Sequence, residues 1–194
     1  MIERRSDAAG CVNKTKALEL FSTGKEIKWA VWDKLFRHDS IGTIRFPAQK
    51  IHGEDVIFLL EFICSNDVFV YSDLGSYHYY RENKESFTKQ SWNKSRLGLV
   101  KFYGALYEKL KQFGLDGSIS SAEEKYLECI RSSYRRCIHY GYKKEAVQLR
   151  ELMKKNITAV KDSELKTAYK IELVVTAYAP ILAYVLNIGY KFVR

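Results

Sequence analysis

Two clusters of residues in this chain have types and spacings suited to chemistry. In the first, His52-Gly53-Glu54-Asp55 sets two carboxylates directly before the apolar run 56–64. In the second, Tyr77-His78-Tyr79-Tyr80-Arg81 interleaves aromatic rings with an imidazole and a guanidinium. An acidic pair in the first turn of a helix has a plain structural use, because each carboxylate complements the helix dipole by about 0.3–1 kcal/mol. The same groups can also take a proton from a hydroxyl held within hydrogen-bond reach. An extended backbone over 77–81 puts Tyr77, Tyr79 and Arg81 on one side and His78 with Tyr80 on the other. Arg81 then either grips a diphosphate in bidentate fashion or pairs with Glu82 or Asp73. Trp32 and Lys34 stand two apart and share no helix face. The indole either packs in the core or stacks on a ring, and the ammonium meets a phosphate or a carboxylate.

The elements that must position these groups follow from apolar periodicity. Steps of three and four predict short helices over 16–21 and 27–36, the second carried by Ala30, Val31, Leu35 and Phe36. Ile41-Gly42 and Phe46-Pro47 break any continuation, so 39–53 is expected as a connecting loop. The run 56–64 is apolar nearly all round and suits a largely buried helix. Val68-Phe69-Val70-Tyr71 reads as a strand, with Ser72-Asp73-Leu74-Gly75 as a turn and 76–81 as a second extended piece. No apolar strand is expected in 1–28. From Ser91 onward helices are expected over 92–113, 121–140, 142–155 and 162–191. Ser121-Ala122-Glu123-Glu124 fits a capping box, and Gly114 and Gly141 stand where helix ends take a left-handed residue. Tyr126, Ile130, Tyr134, Cys137 and Ile138 form one core-facing stripe.

Composition restricts the class of partner. Of the 194 residues, 32 are Lys or Arg and 23 are Asp or Glu, a formal net charge of +9, so an anionic partner is expected. Residues 121–194 hold 14 basic and 8 acidic side chains, which puts most of the excess in the last third. Cys11, Cys64, Cys129 and Cys137 form no C-x-x-C pair, which argues against a zinc site or disulfide framework and for reduced thiols in the cytoplasm. The polar start Met1-Ile2-Glu3-Arg4-Arg5-Ser6-Asp7 lacks the apolar stretch of a secretory signal.

Four segments in order carry a resemblance: Trp32-Asp33-Lys34-Leu35-Phe36-Arg37, then Ile44-Arg45-Phe46-Pro47, then His52-Gly53-Glu54-Asp55-Val56-Ile57-Phe58, then Tyr77-His78-Tyr79-Tyr80-Arg81 with Ser86. Together they resemble the acceptor-side half of bacterial family-two glycosyltransferases, inverting enzymes of the GT-A fold. That half typically runs W-[ND]-K-L-[YF]-[RK], a loop ending R-F-P, an E-D pair opening a helix, a short strand, and Y-Y-Y-R followed by serine. The resemblance implies that Asp55 is the base that deprotonates the attacking sugar hydroxyl, with Glu54 orienting it or touching the acceptor. It also implies substrate-binding roles for Trp32, Lys34, His52, His78 and Arg81.

The same family needs a nucleotide-sugar donor and a divalent metal, Mg or Mn, held by an Asp-x-Asp on a preceding βαβ half of roughly 100 residues. Nowhere in this chain do two aspartates stand two apart, and no parallel-sheet pattern precedes residue 28. The metal ligands are therefore expected outside this chain. The chain itself is expected to be a fragment, a truncated product, or one piece that works beside a separate donor-binding chain. The fold class that follows is α+β and mostly helical: a partial GT-A acceptor region at 1–90, then an all-α appendage at 91–194. Residues 173–190 carry no charge, which predicts a helix lying on a membrane surface or packed on the appendage. Arg131, Arg135, Arg136, Lys143, Lys144, Lys154 and Lys155 are the cations expected to face anionic lipid. The expected function is sugar transfer to a saccharide or lipid-linked acceptor in surface polysaccharide assembly, in the cytoplasm or peripheral to the inner membrane. The alternative is a non-catalytic basic helical module on a membrane surface or a nucleic acid, the nucleic acid being disfavoured because no helix-turn-helix, zinc-finger or ribonucleoprotein signature is present.

Overall fold

A computed structural model of the chain describes residues 10–25, 27–49, 51–72, 91–182 and 185. Two compact units result, Met1–Ser91 and Trp92–Arg194. The described residues are mostly helical, with one two-stranded sheet.

In the first unit β1 (Gly10–Asn13) pairs antiparallel with β2 (Val68–Tyr71), Gly10 opposite Tyr71 and Asn13 opposite Val68. The strand β1 was not expected from 1–28. Four residues with one valine carry no strand pattern, and only the distant β2 gives them hydrogen-bond partners. Asn13 then caps α1 (Lys14–Thr23), its side chain accepting from the Lys16 N–H. Gly24 ends α1 at φ 68°, and a Cβ there would lie 2.8 Å from the Trp29 ring. A short α2 (His38–Ile41) follows inside the expected loop, and then α3 (Glu54–Ser65) begins after Gly53, which sits at φ 89°. Ala17, Leu18 and Phe21 of α1 and Val56, Leu59, Leu60 and Ile63 of α3 are buried, and α1 packs on α3.

The helix expected over 27–36 does not form. The Trp29 indole N–H donates to the Phe21 carbonyl at the end of α1, 2.7 Å away. The Lys34 ammonium takes the Lys28 and Ala30 carbonyls at 2.8 and 2.7 Å, the acceptors a helix would have offered to Trp32 and Lys34 N–H groups. Leu35, read as part of an apolar face, is fully exposed.

The second unit is all helix among its described residues. A 3-10 turn (Lys94–Leu97) leads into α4 (Gly98–Gln112), followed by α5 (Asp116–Tyr140), α6 (Lys143–Lys155), α7 (Ile157–Asp162) and α8 (Thr167–Tyr178). Gly114 and Gly141 take left-handed conformations at φ 65° and 76°, as expected. The stripe Tyr126, Ile130, Tyr134 and Cys137 is buried, with Ile138 partly so, against Leu149, Met153, Val160, Leu173 and Ala177.

Two boundaries differ from the sequence reading. The Ser121 capping box lies inside α5, which starts at Asp116 because the turn after Gly114 is closed by the Leu115 N–H on the Leu110 carbonyl. Glu123 instead accepts from the Tyr107 hydroxyl of α4, 2.6 Å away. The helix expected over 162–191 is interrupted at Ser163, which leaves α7 with its hydroxyl on the Val160 carbonyl. A second interruption falls at Ala179, φ −128° and ψ 67°, because the following Pro180 disfavours a helical residue before it.

The formal charge divides as sharply as the structure. The first unit holds 13 basic and 13 acidic residues, and the second 19 and 10, so the whole +9 belongs to the helical unit.

Candidate functional site

The N-terminus of α3 gathers the acidic pair and its surroundings. Phe58 and Phe62, one turn apart, build an aromatic face on this helix. Phe46 lies flat on Phe58 at 4.3 Å between ring centroids, and Phe36 meets Phe58 and Phe62 edge-on at 5.6 and 4.9 Å. Phe69 of β2 meets Phe62 at 6.1 Å. The loop carrying Arg45-Phe46-Pro47 is therefore fastened to the helix that starts with Glu54-Asp55. Asn66 closes the other end, donating to the Ser40 and Phe62 carbonyls.

Beside Phe58 an open cleft of about 500 Å³ is lined by His38, Asp39, Ile41, Gly42, Ile44, Arg45, Phe46 and Phe58. The Arg45 guanidinium is held at its mouth by the Gly42 and Ile44 carbonyls, which accept from Nη1 at 2.7 and 2.8 Å. Phe58 follows Asp55 by three residues, on the same side of α3. Of α3 only Phe58 lines the cleft; Glu54, Asp55 and His52 are not among its lining residues.

Asp55 is half-buried while Glu54 is exposed. Burial pushes the Asp55 carboxyl above its ordinary value, opposed by the Val56 N–H that donates to Oδ1 at 2.9 Å. The Glu54 charge raises it further and the His52 charge lowers it. A carboxylate held in this way binds a proton more tightly than a solvated one.

The other expected site residues separate. Trp32 is exposed on a turn. The Lys34 ammonium meets a carboxylate of its own chain, Asp33 at 2.5 Å, besides the two carbonyls already named, so its three donors are used internally. His52, half-buried on the turn before Gly53, is within electrostatic reach of Asp55. His78 and Arg81, with the extended piece 76–81 and Ser86, lie outside the described residues. Arg45 and Phe46 were read only as the end of a loop. The signal that they line a cleft is the stacking of Phe46 on Phe58, a contact with no trace in local sequence.

Among the described residues no three His, Cys, Asp or Glu side chains are grouped to hold a cation. Two of the seven cations expected to face lipid are turned inward. Arg131 is buried and donates to Glu172 at 3.0 Å, while Arg135 grips the same carboxylate through Nε and Nη2 at 2.5 and 2.8 Å. The four cysteines are free thiols: Cys11 is exposed and Cys137 buried. Among the described residues no helix is long and apolar enough to cross a membrane. No protein-family model, curated protein or solved structure matches this chain.

Proposed function

We propose that the first unit is the acceptor-side portion of an inverting glycosyltransferase, with Asp55 as the base. The observation that carries the reading is Asp55 itself: a half-buried carboxylate of raised proton affinity in the first turn of α3, near Glu54 and His52 and three residues before Phe58, which lines an open cleft. In this reading the acceptor sugar lies in the cleft against the Phe46 ring. Its hydroxyl attacks the anomeric carbon of a nucleotide sugar as Asp55 takes the proton and the nucleoside diphosphate departs. The donor and its Mg or Mn ion are bound by a region other than the described one. The acceptor is a saccharide or a lipid-linked sugar, which suits a cytoplasmic protein peripheral to the inner membrane and engaged in polysaccharide biosynthesis.

The test is release of nucleoside diphosphate from a panel of nucleotide sugars by the chain together with the polypeptide that supplies the donor-binding region. Asp55→Asn is expected to lower turnover by ~10²–10⁴-fold with nucleotide-sugar binding unchanged. Retained turnover in that variant would remove Asp55 from the role of base.

A second reading, a non-catalytic basic module, is favoured by the location of the whole +9 in the second unit. Nucleic acid is the weaker partner for it, since Tyr107, Tyr126 and Tyr134, three of the aromatics interleaved with its cations, are buried in the core.

A further inference from the structure

The cleft of the first unit combines an apolar lining with a cation that its own loop holds in place. Ile41, Ile44, Phe46 and Phe58 supply the apolar part, and Phe46, stacked on Phe58, keeps 48% of its surface exposed. Arg45 lines the same cleft. Its Nη1 donates to the Gly42 and Ile44 carbonyls at 2.7 and 2.8 Å, which uses both N–H groups of that nitrogen. Neutral carbonyls orient the guanidinium and leave its charge uncompensated. The Nε–H and Nη2–H groups, which lie side by side, have no acceptor among the described residues. Two parallel donors of this kind meet both oxygens of a carboxylate or a phosphate.

Asp39 is the one carboxylate among the lining residues, and it opposes an anion only weakly. Its side chain is 86% exposed and lies 3.6 Å from Nδ1 of His38. Water screens a carboxylate so exposed, and a protonated His38 offsets it. The first unit holds 13 basic and 13 acidic residues and draws anions by no net field, so recognition of an anion here rests on Arg45 at close range. The volume of about 500 Å³ falls within the ~300–1,000 Å³ of small-molecule sites.

We propose that this cleft takes an acidic sugar, its ring against Phe46 and its carboxylate or phosphate on Nε and Nη2 of Arg45. The sugar rests on the function proposed above, whereas the acid rests on Arg45. The experiment is titration of the isotope-labelled full chain with glucuronate, glucose 6-phosphate, glucose and inorganic phosphate, followed by amide chemical shifts. At least one of the two sugar acids is expected to bind about tenfold or more tightly than glucose, and the tighter of them tells whether the acid is a carboxylate or a phosphate. Arg45→Gln is expected to bring that acid down to the level of glucose. Asp39→Asn, at an exposed side chain that does not hold the loop, is expected to tighten binding of the acid by about twofold. Binding of neither sugar acid above glucose would overturn the proposal, as would an unchanged preference in Arg45→Gln or weaker acid binding by Asp39→Asn. Inorganic phosphate bound as tightly as the preferred sugar acid would also overturn it, since the ring would then contribute nothing. The titrations need no donor and no turnover. Retained transfer in Asp55→Asn would therefore remove the base and leave this site standing, and transfer to a neutral acceptor without acid binding would do the reverse.

Discussion

Phe46 and Phe58 lie face to face, their ring centroids 4.3 Å apart and their planes within 8° of parallel. This stack fastens the Arg45-Phe46-Pro47 loop to α3 three residues beyond Asp55, and both rings line the cleft. Half of Phe46 remains exposed, and Arg45 lines the same cleft, an apolar ring and a cation together.

Phe46→Ala removes the stack and one of the rings that line the cleft. An aromatic pair contributes about 0.5–1.5 kcal/mol beyond its buried area, so urea unfolding of the first unit should lose about 1 kcal/mol. Unchanged stability would show that the loop is held by other contacts. Phe46→Leu, which keeps apolar volume, is expected to restore part of the loss.

Glu172 neutralises two arginines from α5 at once, one of them only 7% exposed and stacked 3.7 Å over the Tyr169 ring. Glu172→Ala leaves the buried Arg131 only the more distant Glu128 carboxylate, 3.7 Å away, and is expected to destabilise the helical unit by ~3 kcal/mol. Arg135→Ala should cost less, because Glu172 keeps Arg131 as its partner and the side chain removed is 31% exposed. Thermal unfolding followed by circular dichroism ranks the two variants, and the reverse order would show that Arg131 is not the stranded charge.

The raised proton affinity of Asp55 has a definite sign in stability. The native state holds the proton more tightly than the unfolded chain, so stability falls as pH rises from the ordinary aspartate value through the higher native one. Asp55→Asn removes that dependence and should be at least as stable as wild type at neutral pH, with the difference vanishing in acid. Urea midpoints measured over a pH series provide the check. A wild type more stable than the variant at neutral pH would mean that partners of the charged form outweigh burial. For the proposed transfer the same shift places the acid limb of the rate profile above the ordinary aspartate range.

The thiols should react in a fixed order. Burial pushes Cys129 and Cys137 up to about 11, so little thiolate is present at neutral pH, whereas Cys11 lies exposed on β1. Mass spectrometry after brief treatment with an alkylating reagent is expected to find Cys11 modified first, and Cys129 and Cys137 only in denaturant. Early modification of Cys137 would show that the core around Met153 and Leu149 opens readily.

Much of the helical unit was legible because its signals are local. The 3.6-residue stripe of Tyr126, Ile130, Tyr134 and Cys137 and the glycines at 114 and 141 state burial and termination within a few residues of themselves. The start of α3 after Gly53, with its acidic pair, was equally plain.

The candidate site was legible only in part, and for one reason. A local pattern shows what a segment can form alone, whereas a contact between distant segments decides what it does form. The stretch 27–36 has helical periodicity, yet the Trp29 bond to Phe21 and the Lys34 ammonium on Lys28 and Ala30 consume the groups a helix needs. Ser121 has the right neighbours for a cap, but closure of the preceding turn starts α5 five residues earlier. Arg131 and Arg135 are two of many cations until α8 brings Glu172 to them across a separation of 41 and 37 residues. By itself the sequence determined the balance of charge, the core faces of the long helices, and the acidic pair at a helix start. Tertiary structure alone decided which cations are spent internally, which aromatic rings build the cleft, and which side of α8 is buried, because each depends on partners that local periodicity does not encode.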